Sequence, residues 1–207
     1  GFAEDNMRWI ITGGTGLIGR ALAASLAGDG HEVIVLTRSP QRAAGLPDGV
    51  RAVGWDARTA EGWGALAGEA DCIVNLAGAN LAGSGLLPSR WTARRKAAIR
   101  DSRLHAGQAV VDAVRRAPVK PAVVVQASGV GYYGNRGDEW VDEDAGPGDD
   151  FLARLAIDVW EPSTRPVEEM GVRRVVLRTG AVLDVREGAL PRFVLPFRFF
   201  AGGRLGS

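Results

Sequence analysis

The segment running from Arg8 to Gly19, Arg-Trp-Ile-Ile-Thr-Gly-Gly-Thr-Gly-Leu-Ile-Gly, constrains this chain more than any other. A short apolar run ends in a turn whose glycines Gly13, Gly16 and Gly19 are spaced G-x-x-G-x-x-G. A helical pattern follows, with Ile18, Leu22 and Leu26 at i, i+4 and i+8, and Gly28 and Gly30 close it. In a strand–turn–helix setting each glycine has a separate reason. The first allows the tight turn, the middle one lets the backbone approach a pyrophosphate, and the last lets helix pack close to strand. The helix N-terminus adds unpaired N–H groups and a partial positive charge for the anion. The turn therefore reads as a dinucleotide cradle, with Thr15, Leu17 and Ile18 beside the ligand. A purely structural glycine turn is the alternative.

The rest of the chain alternates. Apolar runs at 33–37, 50–55, 71–76, 122–126 and 175–177 read as further strands. Residues 91–117 form a long helical pattern closed by Pro118, and 151–170 a second one broken or kinked at Pro162 and Pro166. Residues 79–89 and 129–150 read as loops. Strands alternating with helices predict an α/β fold, a doubly wound parallel sheet of the Rossmann type. The run at 33–37 is apolar throughout and so is expected to be buried on both faces. Residues 1–6 precede the first methionine, Met7, and are set apart as a tag or an extension; 7–207 are taken as one NAD(P)-binding domain.

Composition narrows the function. With 25 basic against 24 acidic residues the net charge is +1, so no nucleic acid and no membrane surface is expected as a partner. No apolar run reaches the roughly 18 residues of a span, and no leader pattern opens the chain. The single cysteine, Cys72, forms no internal disulfide and fits a reducing, cytoplasmic setting. Two histidines and one cysteine cannot build an ordinary His/Cys metal site, and no metal is expected. His105 has no Ser/Asp pattern around it, which argues against histidine-based nucleophilic catalysis.

The end of the second strand selects the dinucleotide. NAD readers place Asp or Glu about 20 residues beyond the glycine turn, on the ribose hydroxyls. Here Arg38 and Ser39 occupy that place, and no acid follows until Asp48. A guanidinium fork pairs with a 2′-phosphate instead. At roughly 1.5–3 kcal/mol for such a charged hydrogen bond, NADP(H) is favoured over NAD(H) by roughly 10- to 150-fold. NAD(H) stays open, because Arg38 also reads as a solvated loop residue.

Further stretches carry a resemblance: ITGGTGLIG (11–19), NLAGAN (75–80), RWTARRKAAIRDSR (90–103), QASGVGYYG (126–134), DFLARL (150–155), LRTGAVL (177–183) and PFRFFAGGRLGS (196–207). Together they resemble the short-chain dehydrogenase/reductase superfamily in its extended, epimerase-like branch. More closely, they resemble the atypical "epimerase family" subgroup named for nucleoside-diphosphate-sugar epimerases. The resemblance implies that Asp56 faces the adenine and that Leu76, Ala77 and Gly78 lie along the cofactor. It also implies that Ser128 ends the fifth strand beside the cofactor and that Thr179 stands near the nicotinamide. It implies a small-molecule substrate, a sugar nucleotide among the candidates, bound partly by a C-terminal portion. The chain stops at Gly206-Ser207 inside a matching stretch, so that substrate part is expected to be absent or incomplete, and the oligomeric state is left open.

The pattern breaks at proton transfer. Catalytic members use a Tyr-x-x-x-Lys pair. The only tyrosines are Tyr132 and Tyr133, and four residues on stand Arg136 and Gly137; the only lysines are Lys96 and Lys120. Phe151 stands in the tyrosine position and Leu155 in the lysine position. The usual serine position falls on Gly129, with Ser128 one residue early and therefore turned to the opposite face of a strand. The usual asparagine of the long helix is replaced by Ser102 or Arg103. Ser128 and Tyr133, at the carboxyl end of the fifth strand, remain the candidate catalytic residues. The acidic run from Asp138 to Asp150 reads as a solvated loop, and the cluster from Arg90 to Arg103 as a solvated helix start. Two functions stay in play: an NADP(H)-dependent epimerase or oxidoreductase without the usual pair, and a non-catalytic NADP(H)-binding sensor or regulatory module.

Overall fold

The computed structural model describes residues 6–43, 46–81, 90–200 and 202–203. Most of the 79–89 loop, the last residues of the 196–207 stretch and residues 1–5 lie outside them. Six strands, β1 (Arg8–Thr12), β2 (Glu32–Thr37), β3 (Val50–Gly54), β4 (Cys72–Asn75), β5 (Val123–Gly129) and β6 (Arg173–Thr179), form one sheet in the order β3-β2-β1-β4-β5-β6. Every neighbouring pair is parallel. The doubly wound reading is therefore the observed fold, in the strand order of dinucleotide-binding sheets.

Period-two alternation sends side chains to two cores. Ile10, Ile34, Ile73 and Val124 face the larger one, together with α2 (Ala93–Arg116) and Trp63. Ile11, Val33, Val35, Cys72 and Val74 face the other, against α1 (Leu17–Gly28). Burial pushes the Cys72 thiol up to about 12, so it is an inert core residue rather than a nucleophile. Gly107, in the middle of α2, permits a close approach: a Cβ there would lie 2.1 Å from Ser163 Oγ.

At the carboxyl ends of β1 and β4 and the middle of β5 a polar row crosses the larger face. Thr12 Oγ1 donates to Asn75 Oδ1 (2.7 Å), Asn75 Nδ2 to Gln126 Oε1 (2.9 Å), and Gln126 Nε2 to the Ala127 carbonyl (2.7 Å). All three side chains are completely buried.

The structure extends some elements and divides others. β5 runs on to Gly129 and is followed by a 3₁₀ turn, Val130–Tyr133. β6 is longer than its apolar centre, because the parallel ladder with β5 also takes in Arg173, Arg174 and Arg178. The expected helix over 151–170 divides into α3 (Phe151–Leu155), a π-helical turn (Ala156–Trp160) and a 3₁₀ segment (Pro162–Met170) that Pro162 opens. A further helix, α4 (Leu190–Arg198), was not expected from the sequence. Its Pro191 and Pro196 read as breakers, yet the first sits at the helix start, where no N–H partner is lost.

Candidate functional site

A cleft of about 670 Å³ opens over the carboxyl ends of β1, β2 and β4, where the strand order reverses. Gly13, Thr15, Gly16, Leu17, Ile18 and Gly19 form one wall, and Leu36 to Ser39 a second. Trp55, Ala57, residues 76–80, Ser102 and Val182 complete it. Among the described residues no carboxylate lines the cleft, and Arg38 is its one charged side chain. Arg38 is exposed at the rim, immediately after β2.

The glycines of the turn differ in what surrounds them. Gly13 has φ +68°, and a Cβ on it would lie 3.0 Å from the backbone of Leu76 and Ala77. A Cβ on Gly14 would strike Val35 at 2.7 Å, and one on Gly19 would strike Gly14 Cα at 2.5 Å. Gly16 is open by contrast: its Cβ would meet only the Gly13 carbonyl, at 3.3 Å. Packing requires Gly13, Gly14 and Gly19, whereas Gly16 leaves room on the cleft side. No side chain caps the first turn of α1, which begins in the cleft wall.

Asp56 does not line the cleft. Its carboxylate accepts the N–H of Arg58 (2.7 Å) and of Thr59 (2.8 Å) and the Thr59 hydroxyl (3.0 Å). Burial pushes this carboxyl up, but those bonds outweigh it and hold it below the usual range. The turn so fixed presents Trp55 and Ala57 to the cleft. On the opposite side a strap follows β6. Val182 enters the cleft wall, Leu183 pairs antiparallel with Gly188, and Asp184 accepts the N–H of Arg186 and of Glu187. Glu187 then pairs with Arg20 on α1, which ties the strap to the helix of the glycine turn.

Ser128, Thr179 and Tyr133 also stand outside the cleft lining. Thr179 Oγ1 donates to the Ser128 carbonyl (3.2 Å). Ser128 is 1% exposed, and its hydroxyl donates to Glu161 Oε1 (2.7 Å). Glu161 holds Arg178 through two bonds, Nε to Oε1 at 2.9 Å and Nη2 to Oε2 at 3.1 Å. Arg178 lies over the Tyr132 ring, 3.4 Å from its centroid, and donates through Nη1 to the Tyr133 hydroxyl (3.0 Å). Glu161 raises the Arg178 pKa above its ordinary value. Sequence reading missed both Glu161 and Arg178; the one signal available for Arg178 was a charge inside the apolar pattern of β6.

The sequence profile of the NAD dependent epimerase/dehydratase family matches residues 9–151. The chain belongs to that family. It is 39% identical over 198 residues to the epimerase family protein Mb2239 of Mycobacterium bovis, covering 95% of this chain and 61% of the relative. Two solved structures are each 35% identical to it. The human epimerase family protein SDR39U1 (isoform 2) with NADPH has a TM-score of 0.75 over 97% of this chain and 63% of that one. The nucleoside-diphosphate sugar epimerase of Corynebacterium glutamicum has a TM-score of 0.73 over 98% of this chain and 39% of that one. This epimerase-family chain thus spans about three-fifths of the length of the curated relative.

At Phe151 and Leu155, the two positions that the sequence reading matched to a Tyr-x-x-x-Lys pair, the structure shows packing. The Phe151 ring meets Trp91 edge-on at 5.2 Å, with Lys96 Nζ 4.9 Å above it. Leu155 is buried against Ile99 and Val159. Of the two candidates for the asparagine position, Ser102 lines the cleft and Arg103 does not. Arg103 is buried behind Gly78, donates to the Ala79 and Ile99 carbonyls, and lies over Trp160; burial pulls its pKa down to about 10. Among the described residues no three His, Cys, Asp or Glu side chains converge on a metal-sized site. No described helix is long and apolar enough to cross a membrane.

Proposed function

We propose that the cleft binds NADP(H) and that the protein is an epimerase or oxidoreductase acting on a small polar carbonyl or alcohol, with sugar nucleotides as the first class to test. The open side of Gly16, within a cleft whose described lining has no carboxylate, carries this reading. A pyrophosphate fits where a Cβ would otherwise stand, against the first amides of α1. Arg38 and Ser39 would hold the 2′-phosphate, Trp55 and Ala57 would flank the adenine, and residues 76–79 would lie along the nicotinamide half. Asp56 would act there through the turn it fixes, and Ser128 and Thr179 through the ends of β5 and β6. When bound, the nicotinamide supplies or accepts hydride; the chain binds, orients and handles the proton. The NADPH-bound human relative and the sugar-nucleotide name of the bacterial one agree with this reading.

Fluorescence titration with NADPH and NADH tests it. NADPH is expected to bind more tightly by roughly 10- to 150-fold, and Arg38→Ala to bring the two within about 3-fold of each other. Equal affinities in the wild type would remove Arg38 from the argument, and binding of neither would sink the reading. The strap gives a second check. The Arg20–Glu187 pair is half exposed, so Arg20→Ala is expected to speed NADPH release by up to about 5-fold in stopped flow, matching an ion pair of about 1 kcal/mol or less. An unchanged release rate would show that the strap does not retain the dinucleotide.

The packing of Phe151 and Leu155 favours a second reading, a cofactor-bound sensor. It predicts NADPH binding without turnover and a partner contact that follows the redox state of the dinucleotide.

A further inference from the structure

We propose that Tyr133 and Arg178 form the proton-transfer unit of this site in place of the missing Tyr-x-x-x-Lys pair, with Glu161 holding Arg178 and Ser128 holding Glu161. The inference rests on the hydride-transfer reading above.

Topology supplies the place. β5 lies between β4 and β6 in the sheet. Residues that follow both neighbours, 76–80 after β4 and Val182 after β6, line the cleft. The Val130–Tyr133 turn leaves the carboxyl end of β5, the strand between the two that those walls follow; it stands outside the cleft lining, at the sheet edge where open α/β sheets bind ligands.

Hydrogen-bond direction supplies the role. A guanidinium has donors and no acceptor. In its bond with Arg178 the Tyr133 oxygen is therefore the acceptor, and the phenol proton is left for another partner. Tyr132 differs, because it meets the same guanidinium through its ring, 3.4 Å from the centroid. The Ser128 proton is already committed to Glu161, which makes Ser128 a positioning residue. Arg178 and Glu161 are 21% and 14% exposed, so the pair is held in place rather than solvated. A cation already aligned on the phenol oxygen stabilises a phenolate without reorganisation, the part a lysine plays in the usual pair.

The step balances. A carbonyl substrate accepts hydride from a reduced nicotinamide at carbon; a ring C–H bond breaks and a substrate C–H bond forms. The carbonyl π electrons move onto oxygen, which takes the Tyr133 proton. The phenolate left against Arg178 recovers its proton from water. Carbonyl, reduced dinucleotide and one proton become alcohol and oxidised dinucleotide, and oxidation runs in reverse.

The test uses the 207-residue chain with diacetyl, glyceraldehyde and a UDP-4-keto-hexose as probes. Tyr133→Phe is expected to keep its melting temperature and its NADPH affinity within about 2-fold and to lose kcat by about 10²- to 10⁴-fold. Arg178→Lys and Glu161→Gln are expected to lower kcat by about 10-fold or more with KM and NADPH affinity unchanged, a split that loosened packing would not produce. Because the chain has only two tyrosines, ¹³Cζ-tyrosine labelling gives two signals, and the Tyr133 signal is expected to move on NADPH addition. Turnover retained in Tyr133→Phe, or a Tyr133 signal unmoved at NADPH saturation, overturns the assignment and leaves the cofactor reading standing. NADPH binding by the wild type without turnover of any probe overturns hydride transfer and the assignment together, and favours the sensor.

Discussion

A Gly16→Val variant is expected to fold as the wild type does and to bind NADPH about 100-fold more weakly or worse, a loss of about 3 kcal/mol. Gly16 has φ −80° and ψ 174°, an extended conformation that valine adopts readily. Its Cβ meets only the Gly13 carbonyl, at 3.3 Å, which the turn can relieve by a few tenths of an ångström at a cost of about 1 kcal/mol or less. The melting temperature should therefore fall by no more than about 4 °C. The γ carbons would occupy the space assigned to the pyrophosphate. Gly19→Ala is the contrasting control. Its Cβ would sit 2.5 Å from Gly14 Cα and 2.6 Å from the Gly13 carbonyl, both backbone atoms. That variant should lose stability and binding together. Gly16→Val binding NADPH normally would mean that the dinucleotide does not lie against this turn.

The second large effect belongs to Asn75. Asn75→Leu is expected to cost about 3–5 kcal/mol, read by urea denaturation, and to lower the melting temperature by about 10 °C. Asn75 is the middle link of a directed chain: it accepts from Thr12 and donates to Gln126. A leucine of similar volume fills the site but leaves the Thr12 proton and the Gln126 carbonyl buried without those partners. In a double-mutant cycle, Asn75→Leu with Gln126→Leu should cost less than the two single losses added together, because the second change removes a group the first had stranded. A loss below about 1 kcal/mol for Asn75→Leu would mean that water or a shifted backbone satisfies both groups. The row also bears on the cleft, since Thr12 Oγ1 accepts the N–H of Ala77 (3.2 Å), a residue of its wall.

The strands, the glycine turn and the parallel architecture were legible because each depends on neighbours in sequence. Ile10 and Ile11 point to opposite cores by period two alone, and of the spaced glycines Gly13 and Gly19 carry steric demands while Gly16 leaves the cleft side open. The wall made by Arg38 and Ser39 follows from the distance between the turn and the end of β2. The end of β6 and the helix after it were less legible. Arg173 and Arg178 break the apolar pattern of an edge strand, and the prolines of α4 mimic a loop.

The sequence by itself determined the frame: a doubly wound sheet, a glycine cradle at its switch point, and two tyrosines with Arg136 and Gly137, not lysine, four residues on. Tertiary structure alone decided which groups meet at the end of β5. Ser128 and Glu161 are 33 residues apart, Arg178 and Glu161 are 17 apart, and Tyr133 and Arg178 are 45 apart. Ser128 and Arg178 share Glu161 because the parallel register of β5 and β6 sets them opposite each other, and a slip of one residue would turn either side chain to the other face. Glu161 reaches both because the π turn at 156–160 changes the helical phase just before it. Spacing along a chain encodes local sterics and period, whereas register and helical phase are settled only when the whole sheet and its covering segments pack together.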